Sequence, residues 1–142
     1  MCIRDSFYGV YDMTGDPERS GAYGKGTIDL LERRVMKASS TENPRLFEEA
    51  SPDRRVTVGA PPMMVFHGIN DTLVPVAVAR HFVAQLRLHS QAPVAAVELP
   101  RAQHAFDVLA SIRCRHTTMG AVRFLEGMRA RADQRAPAGP EA

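Results

Sequence analysis

Two titratable side chains stand just past apolar runs, where loops at a sheet edge could hold them against each other. Asp71 lies in the loop 68–74, after the run 62–67 (PMMVFH), and His104 lies in the loop 100–107, after 94–99 (VAAVEL). A carboxylate on a tight loop accepts a hydrogen bond from one imidazole nitrogen. That bond fixes the tautomer and stabilises the imidazolium formed when the other nitrogen takes a proton from a nucleophile. The competing reading of Asp71 is a turn-forming residue, since Asp favours such loops; for His104 it is a surface-loop histidine. Asp107 is the rival acid, but it sits so close to His104 in sequence that capping the next helix suits it better. His67 ends a buried strand and reads as structural, whereas His81 and His89 fall on the following helix and read as solvated. Cys114 and His116 are two apart on a helix and point away from each other, so they make a poor dyad.

The elements that must carry these residues are set by local pattern. The run 62–67 is continuously apolar and bounded by Pro and Gly, as a strand covered on both faces should be. From Pro75 a helix is expected, with Val78, Phe82 and Leu86, joined by Ala79 and Val83, as its apolar stripe. Pro93 ends it, and 94–99 is the next strand. A long helix is expected over 108–131, with Ile112, Val122, Leu125 and Met128 inward. Upstream, 7–12 (FYGVYD) reads as a strand closed by the turn-rich 14–17 (TGDP). A helix is expected over 27–37, and Asn43-Pro44 starts another. Strand, loop, helix, repeated, defines βαβ units on a parallel sheet, whose chemistry sits at the carboxyl ends of the strands. The fold class is therefore α/β.

The residues around Asp71 and His104 also carry a resemblance. His67-Gly68-Ile69-Asn70-Asp71-Thr72-Leu73-Val74-Pro75 resembles the H-G-x-x-D-x-x-V-P segment of α/β-hydrolase esterases and related serine peptidases. Gln103-His104-Ala105-Phe106 resembles the segment that bears the triad histidine in that superfamily. Tyr8-Gly9-Val10-Tyr11-Asp12 is similar to the sixth strand of its carboxylesterase and lipase branch, which includes hormone-sensitive-lipase-like and feruloyl-esterase-like enzymes. The resemblance implies the C-terminal part of an α/β-hydrolase fold, about three parallel strands corresponding to the sixth to eighth, with Asp71 as triad acid and His104 as triad base. The order acid then histidine agrees with the family's Ser, Asp, His order. No G-x-S-x-G elbow and no H-G-G oxyanion loop occurs in the 142 residues. The implied function is thus that of the acid-and-histidine portion of a serine carboxylic-ester hydrolase, inactive by itself. The alternatives are a prolyl-oligopeptidase-type serine peptidase portion and a non-catalytic α/β-hydrolase-like binding protein.

Bulk properties narrow the partners. A hydrophobic fraction of 44% with 24% charged residues is ordinary for a globular domain. A net charge of +2, evenly scattered, argues against nucleic acid or an anionic membrane as partner. No apolar stretch approaches the roughly 18 residues of a membrane span. The expected partner is a small-molecule ester substrate, with no cofactor and no metal. Cys2 and Cys114 make no metal or disulfide pattern, which favours a reducing, cytoplasmic setting. Residues 1–6 (MCIRDS) fit poorly with the strand-like run after them and resemble a translated adapter remnant, so they are read as a non-native or disordered leader. Residues 7–131 are read as the α/β-hydrolase portion, and 132–142, rich in Pro, Ala and Gly, as a disordered tail.

Overall fold

Three parallel strands position the two loops, in a computed structural model that describes residues 2–21 and 23–135. In chain order the elements are β1 (Arg4–Phe7), a short α1 (Pro17–Ser20), and α2 (Lys25–Leu30), which runs into a π-helical turn over Leu31–Met36. Next come α3 (Pro44–Ala50), a 3-10 turn (Pro52–Arg55), β2 (Met63–Gly68), α4 (Val76–His89), β3 (Val94–Leu99) and α5 (Ile112–Arg135). The sheet order is β1-β2-β3, with Phe7 opposite Phe66 and Gly68 opposite Leu99. All three carboxyl ends therefore lie along one edge.

The central strand explains the layering. Val65 and Phe66 point to opposite faces and are both buried, at 1% and 2% exposure. On one face α4 presents Val78, Ala79, Phe82, Val83 and Leu86, spaced to form one stripe against Val65, Val74, Tyr11 and Tyr23. Burial of a side chain such as Phe82 or Leu86 stabilises the fold by roughly 1.5–3 kcal/mol. Phe82 also stacks on Tyr11, ring centroids 4.2 Å apart. On the other face α5 lies across β1 and β2, with Gly120 over the Phe66 ring.

Four expectations are corrected. The strand expected over 7–12 lies over Arg4–Phe7, so Arg4, Asp5 and Ser6 of the expected leader pair with Met63, Met64 and Val65. Tyr8 ends the strand because its φ of 40° is left-handed, a conformation that breaks extended pairing. The aromatic residues that suggested a strand face the core and the sheet edge instead. The helix expected over 27–37 begins at Lys25 and loosens to π geometry after Leu30. In α5 the inward residues are Thr117, Ala121 and Met128, while Ile112 is 79% and Val122 46% exposed. Thr117 conceals that face from a hydropathy reading: its hydroxyl donates to the Arg113 and Cys114 carbonyls, both at 3.0 Å, so a polar residue is buried without an outside partner. Of the expected tail, 132–135 belong to α5 and 136–142 lie outside the described residues.

The ends of β2 and β3 are locked by backbone. Ile69 N donates to Leu99 O at 3.0 Å, and Asn70 N donates to Ala102 O at 3.1 Å. Gly68 makes this possible, because a Cβ there would overlap the Ala102 carbonyl. That carbonyl cannot yield cheaply, because Ala102 has no exposed surface. The G68A variant should lose about 1–3 kcal/mol of stability, as overpacking against backbone does. Its urea midpoint, measured by circular dichroism beside the unmodified chain, checks this.

Candidate active site

Asp71 is aimed by its own loop. Its Oδ1 accepts the backbone N–H groups of Leu73 and Val74, each at 2.9 Å. This turn, closed by a side chain, leaves Oδ2 pointing across the sheet edge. There it meets His104 Nδ1 at 2.9 Å. The carboxylate is fully buried, whereas the imidazole keeps 27% exposure. Burying a carboxylate is costly unless hydrogen bonds replace its water, and here two amides and an imidazole do so. His67, 1% exposed, donates from Nε2 to Val74 O at 2.9 Å, and the same nitrogen lies 3.5 Å from Asp71 Oδ2. It braces the loop that holds Asp71.

The histidine loop is stitched to the aspartate loop at two further points. Asn70 Oδ1 accepts from Arg101 N at 3.0 Å, and Gln103 Oε1 accepts from both Thr72 N and Thr72 Oγ1 at 3.2 Å. Around His104 the backbone turns sharply, with left-handed φ values of 57° at Arg101 and 55° at Ala105. With Asp71 ionised, Nδ1 carries the shared proton, which leaves Nε2 as the nitrogen able to accept one. The structure thus brings together both residues expected at the site.

A third strand end takes part, and sequence reasoning missed it. Tyr8, the first residue past β1, donates its phenol hydrogen to Asp107 Oδ1 at 2.8 Å and sets its ring 4.6 Å from that of His104. Asp107 is therefore not the cap of α5; Ser111 Oγ accepts from Cys114 N at 3.1 Å instead. Cys114 Sγ donates to the Asp107 carbonyl at 3.3 Å, so the thiol is tied to the loop rather than to His116. His81, expected in solvent, is 23% exposed and lies 3.5 Å from the buried Asp53 carboxylate. His89 and His116 are exposed. Among the described residues no group of His, Cys, Asp and Glu could hold a metal, and no helix is long and apolar enough to cross a membrane.

Parallel strands flanked by helices, with an acid and a histidine converging from successive carboxyl-end loops, define the C-terminal part of an α/β-hydrolase fold. The BD-FAE family model matches residues 4–86, from the first residue of β1 to the last turn of α4, and the chain belongs to that family. Over 119 residues the chain is 47% identical to "Probable carboxylic ester hydrolase LipM" of Mycobacterium tuberculosis, covering 84% of this chain and 27% of the relative. Over 121 residues it is 39% identical to "Esterase LipC" of the same organism, covering 85% and 30%. The chain thus spans less than a third of the length of these curated relatives. A structure of Thermogutta terrifontis esterase 2 phosphonylated by sarin superposes with a TM-score of 0.60 at 20% identity, covering 96% of this chain and 45% of the other. That likeness is one of fold.

The Tyr8 phenol is held above the usual tyrosine range, first by its bond to the Asp107 carboxylate, then by burial and by the negative charge of Asp107. The folded value lies above the unfolded one, so this contribution to stability is complete below about pH 10. It disappears as pH rises through the folded value. In D107A both the acceptor and the charge are lost, so the Tyr8 transition should move back down toward the ordinary tyrosine value. Phenolate absorbance across an alkaline titration, with Y8F identifying the transition, measures the shift.

Proposed function

We propose that this chain provides the acid and the base of a serine carboxylic-ester hydrolase, with Asp71 orienting His104. The observation that carries the reading is the 2.9 Å contact between His104 Nδ1 and Asp71 Oδ2, made by a carboxylate whose other oxygen is already held by two amides. The names of the 47% and 39% identical relatives support the ester class. Within the 142 residues no serine lies in a G-x-S-x-G frame, so the nucleophile and oxyanion donors belong to polypeptide outside them. His104 Nε2 takes the serine proton as the Oγ attacks the ester carbonyl, then returns it to the departing alcohol, leaving an acyl-serine. Water attacks the acyl group by the same route, and the acid departs. The substrate is a small-molecule ester, and these steps need no cofactor.

A graft tests the reading. These residues, put in place of the aligned segment of LipM, should give a protein that a fluorophosphonate probe labels and that hydrolyses p-nitrophenyl esters. In that protein H104Q and D71N should each lower kcat by about 10³- to 10⁴-fold, as loss of the base or its orienting acid does. The 142 residues alone should not be labelled. Full activity of the H104Q graft would remove His104 from the reaction.

A further inference from the structure

We propose that Tyr8 is a positioning residue for His104: its ring sets the imidazole plane, and its phenol ties that ring to Asp107 on the histidine's own loop. The inference rests on the pairing of Asp71 with His104 and goes beyond it. A single hydrogen bond at Nδ1 restrains one edge of an imidazole but leaves the ring free to swing until that bond breaks, after which either nitrogen can carry the proton. A second surface is needed to stop the swing, and outer partners of this kind commonly set ring orientation and tautomer. Tyr8 supplies that surface, with ring centroids 4.6 Å apart and planes inclined by 54°. Phe106 stands edge-on to Tyr8 at 5.5 Å and 87°, and Phe7, which stacks on Phe66 at 4.7 Å, lies 6.0 Å from Phe106. The aromatic group is therefore rooted in the sheet.

The placement of Tyr8 is also expensive for the backbone. A bulky residue at φ 40° is strained, by an amount on the order of 1 kcal/mol or more, and such strain persists only where surrounding contacts hold it. The contacts that hold it are the phenol bond to Asp107, 99 residues away, and the donation of Tyr8 N to Phe66 O at 2.8 Å. Ala105, between His104 and Phe106, is left-handed as well, so the chain is bent on both sides of the ring contact. Mere stitching of β1 to the histidine loop would need the phenol bond but no ring against His104.

Long-range ¹H–¹⁵N spectra of histidine-labelled chain separate the two roles, because imidazole nitrogen shifts report the tautomer. At a pH where the imidazoles are neutral, His104 should show one tautomer, with the proton on Nδ1. Y8L should move its nitrogens toward the averaged shifts of a freely exchanging ring. Y8F and D107A each cut the tether and should shift them part of the way. D107N keeps an oxygen acceptor for the phenol and should restore the single tautomer. Unchanged His67 and His81 signals certify the fold of each variant, and Y8F with D107A decide the matter if Y8L does not fold. Variants that fold and keep the unmodified His104 pattern overturn the inference alone. Mixed tautomers in the unmodified chain, unaltered by D71N, overturn the Asp71 pairing and this inference with it.

Discussion

The Ala102 carbonyl rests against the α-carbon of Gly68, and the polar groups at the sheet edge are spaced from that contact. Two parallel strands need not have their following loops in register. Here Ile69 N to Leu99 O and Asn70 N to Ala102 O extend the ladder past the strands, so the two loops leave the sheet as one unit. Asp71 then follows Asn70 directly, and His104 follows Ala102 by two residues. A side chain at position 68 would push these loops apart and lengthen the 2.9 Å contact between Asp71 and His104.

The electrostatics follow from that geometry. Asp71 is buried yet well supplied with donors, whereas its partner keeps a quarter of its surface in solvent. A buried carboxylate beside a partly exposed imidazole suits the roles proposed for Asp71 and His104. His67 shows how much support the acid receives from behind, since its Nε2 clamps the carbonyl of Val74 while the amide of the same residue bonds Asp71. One residue's backbone thus carries both braces.

Much of this was legible in the sequence where the signal was local. The apolar run before Gly68 and the loop after it specify a strand end bearing Asp71, and the same holds for 94–99 and His104. The stripe Val78, Ala79, Phe82, Val83 and Leu86 specifies α4. What was not legible depends on contacts between distant positions. Asp107 looks like a helix cap because capping is a local habit of Asp, and only the fold reveals a tyrosine across the sheet. The strand at Arg4–Phe7 is obscured because the aromatic run after it satisfies strand propensity while doing other things. Thr117 hides the inward face of α5 by satisfying its hydroxyl within its own helix.

The bond between Tyr8 and Asp107 spans 99 residues of a 142-residue chain. Closing so long a loop is entropically unfavourable until β2, α4 and β3 have formed between its ends. Pairing of β1 with β2 and of β2 with β3 brings those ends together, so the bond closes a loop that the sheet has already shortened. Residues near the two ends of the chain thus meet beside the His104 ring.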